Sequence, residues 1–196
     1  LVSNAEFLGF IEDGGYENES YWSEEGWKWK SYKNATMPLF WRKEASGYKL
    51  RLMAEEIEMP LSWPVEINYL EAKAFCNWKS AKEGKSIRLP SEEEWYILRD
   101  AHVKCDEPFW DKAPGNINLE YFASSVPVDT FAFGNFYDVI GNVWQWTETP
   151  INGFDGFTVH PLYDDFSVPT FDDRHNIIKG GSWISTGNEI IRASRY

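Results

Sequence analysis

Two cysteines and three histidines in 196 residues leave this chain short of the side chains that cross-link folds and bind metals. Cys76 lies in a stretch with helical periodicity and Cys105 in a polar connector, so no disulfide framework is expected and a reducing cytoplasm is the compartment that fits. His102, His160 and His175 are the only histidines, and no two fall within a helical turn of each other. A mononuclear metal site needs two or three histidines, often with a carboxylate, so the alternative is that each hydrogen-bonds locally at a surface or loop. Basic residues are also scarce, 19 against 31 acidic, for a net charge of −12. Clusters such as Glu92 to Glu94, Asp164-Asp165 and Asp172-Asp173 would repel a phosphate backbone, which argues against a nucleic-acid partner. No apolar run approaches the length of a membrane span and no charged-then-apolar leader opens the chain, so a soluble protein without a membrane partner is expected.

Aromatic rings are plentiful. They make up 17% of the chain, with 11 tryptophans, which implies either a rigid, loop-rich core or an aromatic-lined cleft. For any single tryptophan the core is the plainer reading. The length suits one domain with a real core, and no linker, internal repeat or low-complexity tract divides residues 1–196.

Capping signals predict three helices. The first opens at Ser3, with Glu6 at capping-box spacing and Phe7, Phe10 and Ile11 on one face, and stops at Gly14-Gly15. The second runs from about Tyr69 to Glu83, capped by Asn68 with Glu71 three residues on and ended by Gly84. The third starts at the Ser91 cap with Glu94 as its partner and buries Trp95 and Leu98. Residues 16 to 47 alternate aromatics with charge without sustained periodicity and read as an irregular segment pinned by buried rings. Residues 106 to 182 are interrupted too often by Pro, Gly and Asn for long elements, so loops and short strands are expected there.

Three blocks carry most of the information: Arg88-Leu89-Pro90-Ser91-Glu92-Glu93-Glu94-Trp95, then Gly141-Asn142-Val143-Trp144-Gln145-Trp146-Thr147-Glu148, then Gly180-Gly181-Ser182-Trp183-Ile184-Ser185-Thr186-Gly187-Asn188-Glu189. In this order they resemble the formylglycine-generating-enzyme, or sulfatase-modifying-factor, superfamily over nearly the whole chain. The run His160-Pro161-Leu162-Tyr163-Asp164-Asp165-Phe166, followed by Pro169-Thr170-Phe171-Asp172-Asp173-Arg174-His175-Asn176, looks most like the central domain of ovothiol-type sulfoxide synthases. The resemblance implies an α+β, loop-rich domain related to the C-type-lectin fold, with short helices around small mixed or antiparallel sheets. It also implies non-haem iron chemistry that joins the sulfur of cysteine to the imidazole of histidine or of its betaine, as in ovothiol and ergothioneine biosynthesis.

The copper-dependent activity of formylglycine-generating enzymes is not expected, because aligning on the Gly-Gly-Ser-Trp block puts Ser185 and Ile190 where the two metal-binding cysteines would stand. In the sulfoxide synthases the iron ligands belong to a preceding helical-bundle domain with a His-xxx-His-x-Glu motif, which is absent here. The chain is therefore expected to be one piece of a larger Fe(II) enzyme, inactive alone, with an upstream helical bundle as its partner and the family continuing at both ends. Its implied share is the substrate wall. Arg192 and Arg195 are the candidates to fork a substrate carboxylate, the alternative being structural ion pairs. Thr186, Asn188 and Glu189 are candidates to hydrogen-bond an amino-acid backbone or to form a turn. The resemblance also implies a proton-delivering tyrosine in the loop after the Trp-x-Trp motif. Residues 149–157 hold none, leaving Tyr163 as the catalytic candidate or a packed ring. Structural calcium is implied at loops matching Asn116 with Ile117, Glu120, Asp138 and Gln145, where Gln145 replaces a glutamate and removes a charge. The rival function is a non-catalytic ligand- or protein-binding module on the same scaffold.

Overall fold

The computed structural model describes the backbone of residues 1–196 and every side chain except that of Phe166. Its longer helices begin where side chains satisfy the first free backbone N–H groups. Helix α1 (Asn4–Glu12) has a reciprocal Ser3–Glu6 capping box, in which the Glu6 N–H donates to Ser3 Oγ at 3.3 Å and the Ser3 N–H to Glu6 Oε2 at 3.0 Å. Asp13, not the glycine pair, caps its C-terminus, and Gly14 turns the chain just beyond at φ +76°.

The segment expected to be irregular folds instead into helix α2 (Glu24–Lys33) and a hairpin of strands β1 (Trp41–Glu44) and β2 (Gly47–Arg51). Ser23 caps α2, and Asn34 ends it at φ +50°. The helix hides from periodicity because Trp27 and Trp29, two positions apart and so on opposite sides, are both partly buried. The hairpin pairs Trp41 with Leu50 and adds β3 (Glu56–Glu58) antiparallel.

Helix α3 (Tyr69–Glu83) has the Asn68–Glu71 box and ends at Gly84 with φ +64°, and α4 (Glu92–His102) has the Ser91–Glu94 box. Beyond α4 the chain is turns and short pieces, as expected: β4 (Ala132–Phe133) with β5 (Phe136–Tyr137), the single-turn α5 (Asp164–Ser167), and β6 (Gln145–Pro150) antiparallel to β7 (Asn176–Lys179). The α+β, loop-rich class with small antiparallel sheets is the one the sequence implied. Among the described residues no helix is long and apolar enough to cross a membrane.

Two cores result. One is built of rings from α1, α3 and the hairpin, with Phe7 and Phe10 edge to face at 5.2 Å and Phe10 against Trp78 at 5.8 Å. Gly15 belongs there because a Cβ on it would stand 2.2 Å from the Phe10 ring. The other packs Trp95 against Ile117, Val139, Ile140 and Ile190. Sheet β6–β7 lies against α4, close to the second core.

Candidate functional site: an aromatic cleft

The two glycine-bearing motifs are stitched together by backbone. Gly141 donates its N–H to the Gly180 carbonyl at 2.7 Å, and Trp183 donates to the Asn142 carbonyl at 3.1 Å. Gly141 has φ +81°, and a Cβ there would come within 2.7 Å of the Asn116 carbonyl, so only glycine allows this approach. Gln145 holds the turn from below, donating Nε2 to the carbonyls of Asp138 and Val139 at 2.9 and 3.2 Å. The register of β6 on β7 then sets Trp146 opposite Ile178.

This stitching carries Trp144, Trp146 and Trp183 into one wall of a cleft of about 940 Å³. The facing residues are Trp29, Phe40 and Trp41 with the Val65-to-Asn68 segment that leads into α3. Trp146 ties the two sides, its indole N–H donating to the Ile67 carbonyl at 3.0 Å. Trp144 and Trp183 are half-buried in this wall and not core rings. The aromatic excess therefore serves both a core and a cleft.

Two carboxylates reach the cleft, Glu66 and Glu71. Glu71 is buried and accepts from Tyr16 Oη at 2.6 Å and the Asn68 N–H at 3.0 Å, and burial raises its pKa despite those bonds. Much of Glu66 faces solvent, but its carboxyl end is crowded, and desolvation raises its pKa against the lowering effect of Ser125, whose Oγ donates at 3.3 Å. A smaller pocket of about 460 Å³ adjoins, lined by Arg51, Ser124 and Ser125 and sharing Phe40, Glu66 and Trp183 with the cleft.

The residues singled out from the sequence lie elsewhere. Arg195 does not line the cleft: it holds the buried Glu92 through Nε at 3.0 Å and Nη2 at 3.0 Å, donates Nη1 to the Asn152 carbonyl, and stacks on Phe154. Arg192 lies over the Tyr96 ring with Nη1 3.6 Å from Asp100. Thr186 and Glu189 form a turn, the Thr186 N–H donating to Glu189 Oε2 at 2.6 Å, while the Asn188 carbonyl accepts from Ser194 Oγ. Each of these residues thus has contacts within the chain. Tyr163 is exposed beside His160, with ring centres 5.8 Å apart. The phenols that touch the cleft wall are Tyr196, edge-on to Trp144, and Tyr69, edge-on to Trp146.

Among the described residues no three His, Cys, Asp or Glu side chains converge, and His102, His160 and His175 neighbour Phe136, Tyr163 and Asp172 respectively. No iron site is formed among the described residues. Cys76 is buried in α3 and Cys105 exposed, both free. Of the calcium candidates, Glu120 is spent on the N–H groups of Lys112 and Ala113, whereas Asn116 and Asp138 each keep one buried side-chain oxygen without a partner.

Sequence reasoning missed Glu66 and Glu71 as cleft residues and Arg51 as a residue of the adjoining pocket. Glu66 left one trace, a lone charge in the apolar run Trp63-Pro64-Val65-Glu66-Ile67. Arg51 left none.

The turn-rich α+β architecture and the motif-built aromatic cleft define a small domain suited to holding an organic ligand. Residues 1–196 match the sulfatase-modifying factor enzyme 1-like domain, and the chain belongs to that family. It is 32% identical over 204 aligned residues to hercynine oxygenase of Mycobacterium tuberculosis, covering 93% of this chain and 44% of that protein. It is 25% identical to ergothioneine biosynthesis protein 1 of Schizosaccharomyces pombe, covering 93% of this chain and 21% of that protein. The chain thus spans less than half the length of these relatives. Among solved structures, Treponema denticola variable protein 1 shares the fold, with a TM-score of 0.53 and 18% identity over 71% of this chain and 66% of that one.

Proposed function

We propose that this domain is the substrate-binding module of an iron(II)- and oxygen-dependent sulfoxide synthase that joins the sulfur of cysteine to the imidazole of histidine or its betaine. The observation that carries this reading is the convergence of the Gly141–Trp146 and Gly180–Trp183 motifs on one aromatic-walled cleft. The names of the two relatives, hercynine oxygenase and ergothioneine biosynthesis protein 1, support it.

The reaction balances as thiol plus imidazole C–H plus dioxygen, giving the C–S bond, one oxygen on sulfur and one in water with the two hydrogens. Oxygen activation would come from iron, which the described residues do not hold. This chain's own residues bind and orient. Indole and phenyl faces of Trp144, Trp183 and Phe40 stack on a planar imidazole and exclude water around it. Glu66, its pKa raised by burial, favours a cationic group on the ligand.

The test is to supply the full-length protein with Fe(II), oxygen, cysteine and either histidine or its trimethyl betaine, and to follow oxygen uptake and product mass. A cysteinyl-imidazole sulfoxide is expected. Tight binding of either imidazole compound with no oxygen uptake would replace this reading with the ligand-binding module.

A further inference from the structure

Arg42, Arg88, Arg99, Arg174, Arg192 and Arg195 each reach a carboxylate within 4.0 Å. Arg51 does not. In a chain with 31 acidic residues, its guanidinium is supported by the Phe40 ring, 5.8 Å to the ring centre, and faces the small pocket beside the cleft. The same pocket holds Glu66, which also has no cationic partner among the described residues and accepts from the Ser125 hydroxyl at 3.3 Å. Two opposite charges thus line one cavity of about 460 Å³ without neutralising each other. Both side chains are solvent-accessible and neither is tied to a charge of the opposite sign, so each is free to take the complementary group of a ligand.

We infer that the small pocket is the headgroup subsite for an α-amino acid or its betaine, with Arg51 taking the carboxylate, Glu66 taking the α-ammonium, and the side chain directed into the aromatic cleft past Phe40 and Trp183. An α-amino acid carries its two charges on adjacent atoms of one short unit, so a small pocket with one guanidinium and one carboxylate matches it in charge and size. The guanidinium offers the planar fork that a carboxylate needs, and its seat on Phe40 pre-orients it. The ammonium end is met by a carboxylate whose burial already raises its pKa, so a bound cation relieves a cost present in the empty pocket. The shared residues Phe40, Glu66 and Trp183 make the pocket and the cleft continuous, so one ligand can occupy both. Neither Arg51 nor Glu66 lies in the motifs that define the family resemblance. This inference deepens the proposed function and rests on it for the identity of the side chain.

Calorimetric titration of the full-length protein with L-histidine, L-histidine methyl ester, N-acetyl-L-histidine and histidine trimethyl betaine separates the two contacts. Arg51→Met should weaken histidine and the betaine about 10- to 100-fold and leave the methyl ester unchanged. Arg51→Lys should recover only part of the loss. Glu66→Gln, which keeps the Ser125 contact, should weaken histidine and the methyl ester and leave the N-acetyl compound unchanged. Thermal melts should be unaltered, since both side chains are surface-accessible. Histidine binding of parental strength in both variants would overturn the headgroup assignment while leaving the proposed function intact. Arg51-dependent histidine binding without oxygen uptake would retain the subsite and remove the sulfoxide synthase. No binding of any of the four compounds by the parent would remove both.

Discussion

Lys179 is buried under the rings of Trp95 and Tyr96, 4.8 and 4.7 Å from their centres, with its ammonium 3.6 Å from the Glu92 carboxylate. It also donates to the carbonyls of Arg192 and Ser194, and Arg195 binds the same Glu92. A buried ion network therefore anchors the last residues, including Tyr196, whose ring braces the cleft residue Trp144. Replacing Lys179 by Met should cost about 3 kcal/mol, because Glu92 and two carbonyls lose a buried donor. Burial outweighs Glu92 and lowers the Lys179 pKa to about 8 from its ordinary 10.5. A lysine with a depressed folded pKa loses its proton more readily in the fold, so the parent should gain stability over Lys179→Met as pH rises from about 8 towards 10.5. Denaturant unfolding at pH 7.5 and 10 measures both effects, and a pH-independent difference would contradict the second.

Asp138 behaves in the opposite sense. It is buried, its Oδ2 accepts from Asn142 Nδ2 at 3.3 Å, its Oδ1 has no partner, and burial raises its pKa to about 7. An acid with a raised folded pKa contributes stability that is present below its ordinary 3.8 and is lost as pH climbs through about 7. Asp138→Asn should therefore gain on the parent by roughly 2–4 kcal/mol between pH 4 and pH 8. The calcium expectation is tested on the same residue: if Asn116 and Asp138 receive a cation, millimolar calcium at pH 8 raises the melting temperature of the parent and not of the variant. Equal melting temperatures with and without calcium would remove that expectation.

The tryptophans divide by position. Trp95→Ala should destabilise the domain by about 3–5 kcal/mol, since the ring fills the second core and its indole reaches the Val139 carbonyl. Trp183→Ala should cost appreciably less and instead weaken ligand binding, because that ring is half-exposed between the cleft and the small pocket. Melting curves paired with ligand titration distinguish the two; equal destabilisation by both substitutions would contradict the assignment.

Arg192 offers a control. With its side chain over Tyr96 and beside Asp100, Arg192→Lys should leave ligand affinity unchanged and lower stability by no more than about 1 kcal/mol. A raised Michaelis constant for cysteine would return Arg192 to the substrate wall.

Sequence alone determined the elements governed by local chemistry. Ser3–Glu6, Asn68–Glu71 and Ser91–Glu94 are capping boxes whose partners sit three residues apart, so the starts of α1, α3 and α4 are legible without the fold. The glycine of Gly141-Asn142 and the pair Gly180-Gly181 announce positive-φ turns in the same way, and the motif order was enough for the family. Helix α2 escaped because it is mostly exposed and its partly buried Trp27 and Trp29 give no one-sided apolar stripe.

Only the tertiary structure decided which side chains line the aromatic cleft and the pocket beside it. Arg51 ends the central strand β2 and Glu66 lies in the connector before α3, and they share a pocket with Trp183, more than a hundred residues away, because bonds such as Trp146 to the Ile67 carbonyl and Val128 to the Ser62 carbonyl hold the second half against the first. Arg192 and Arg195 sit near the Gly-Gly-Ser-Trp motif in sequence, yet the turn at Thr186–Glu189 carries them to Tyr96 and Glu92. Proximity along the chain says little about which residues converge when long-range backbone pairing sets the direction of every loop.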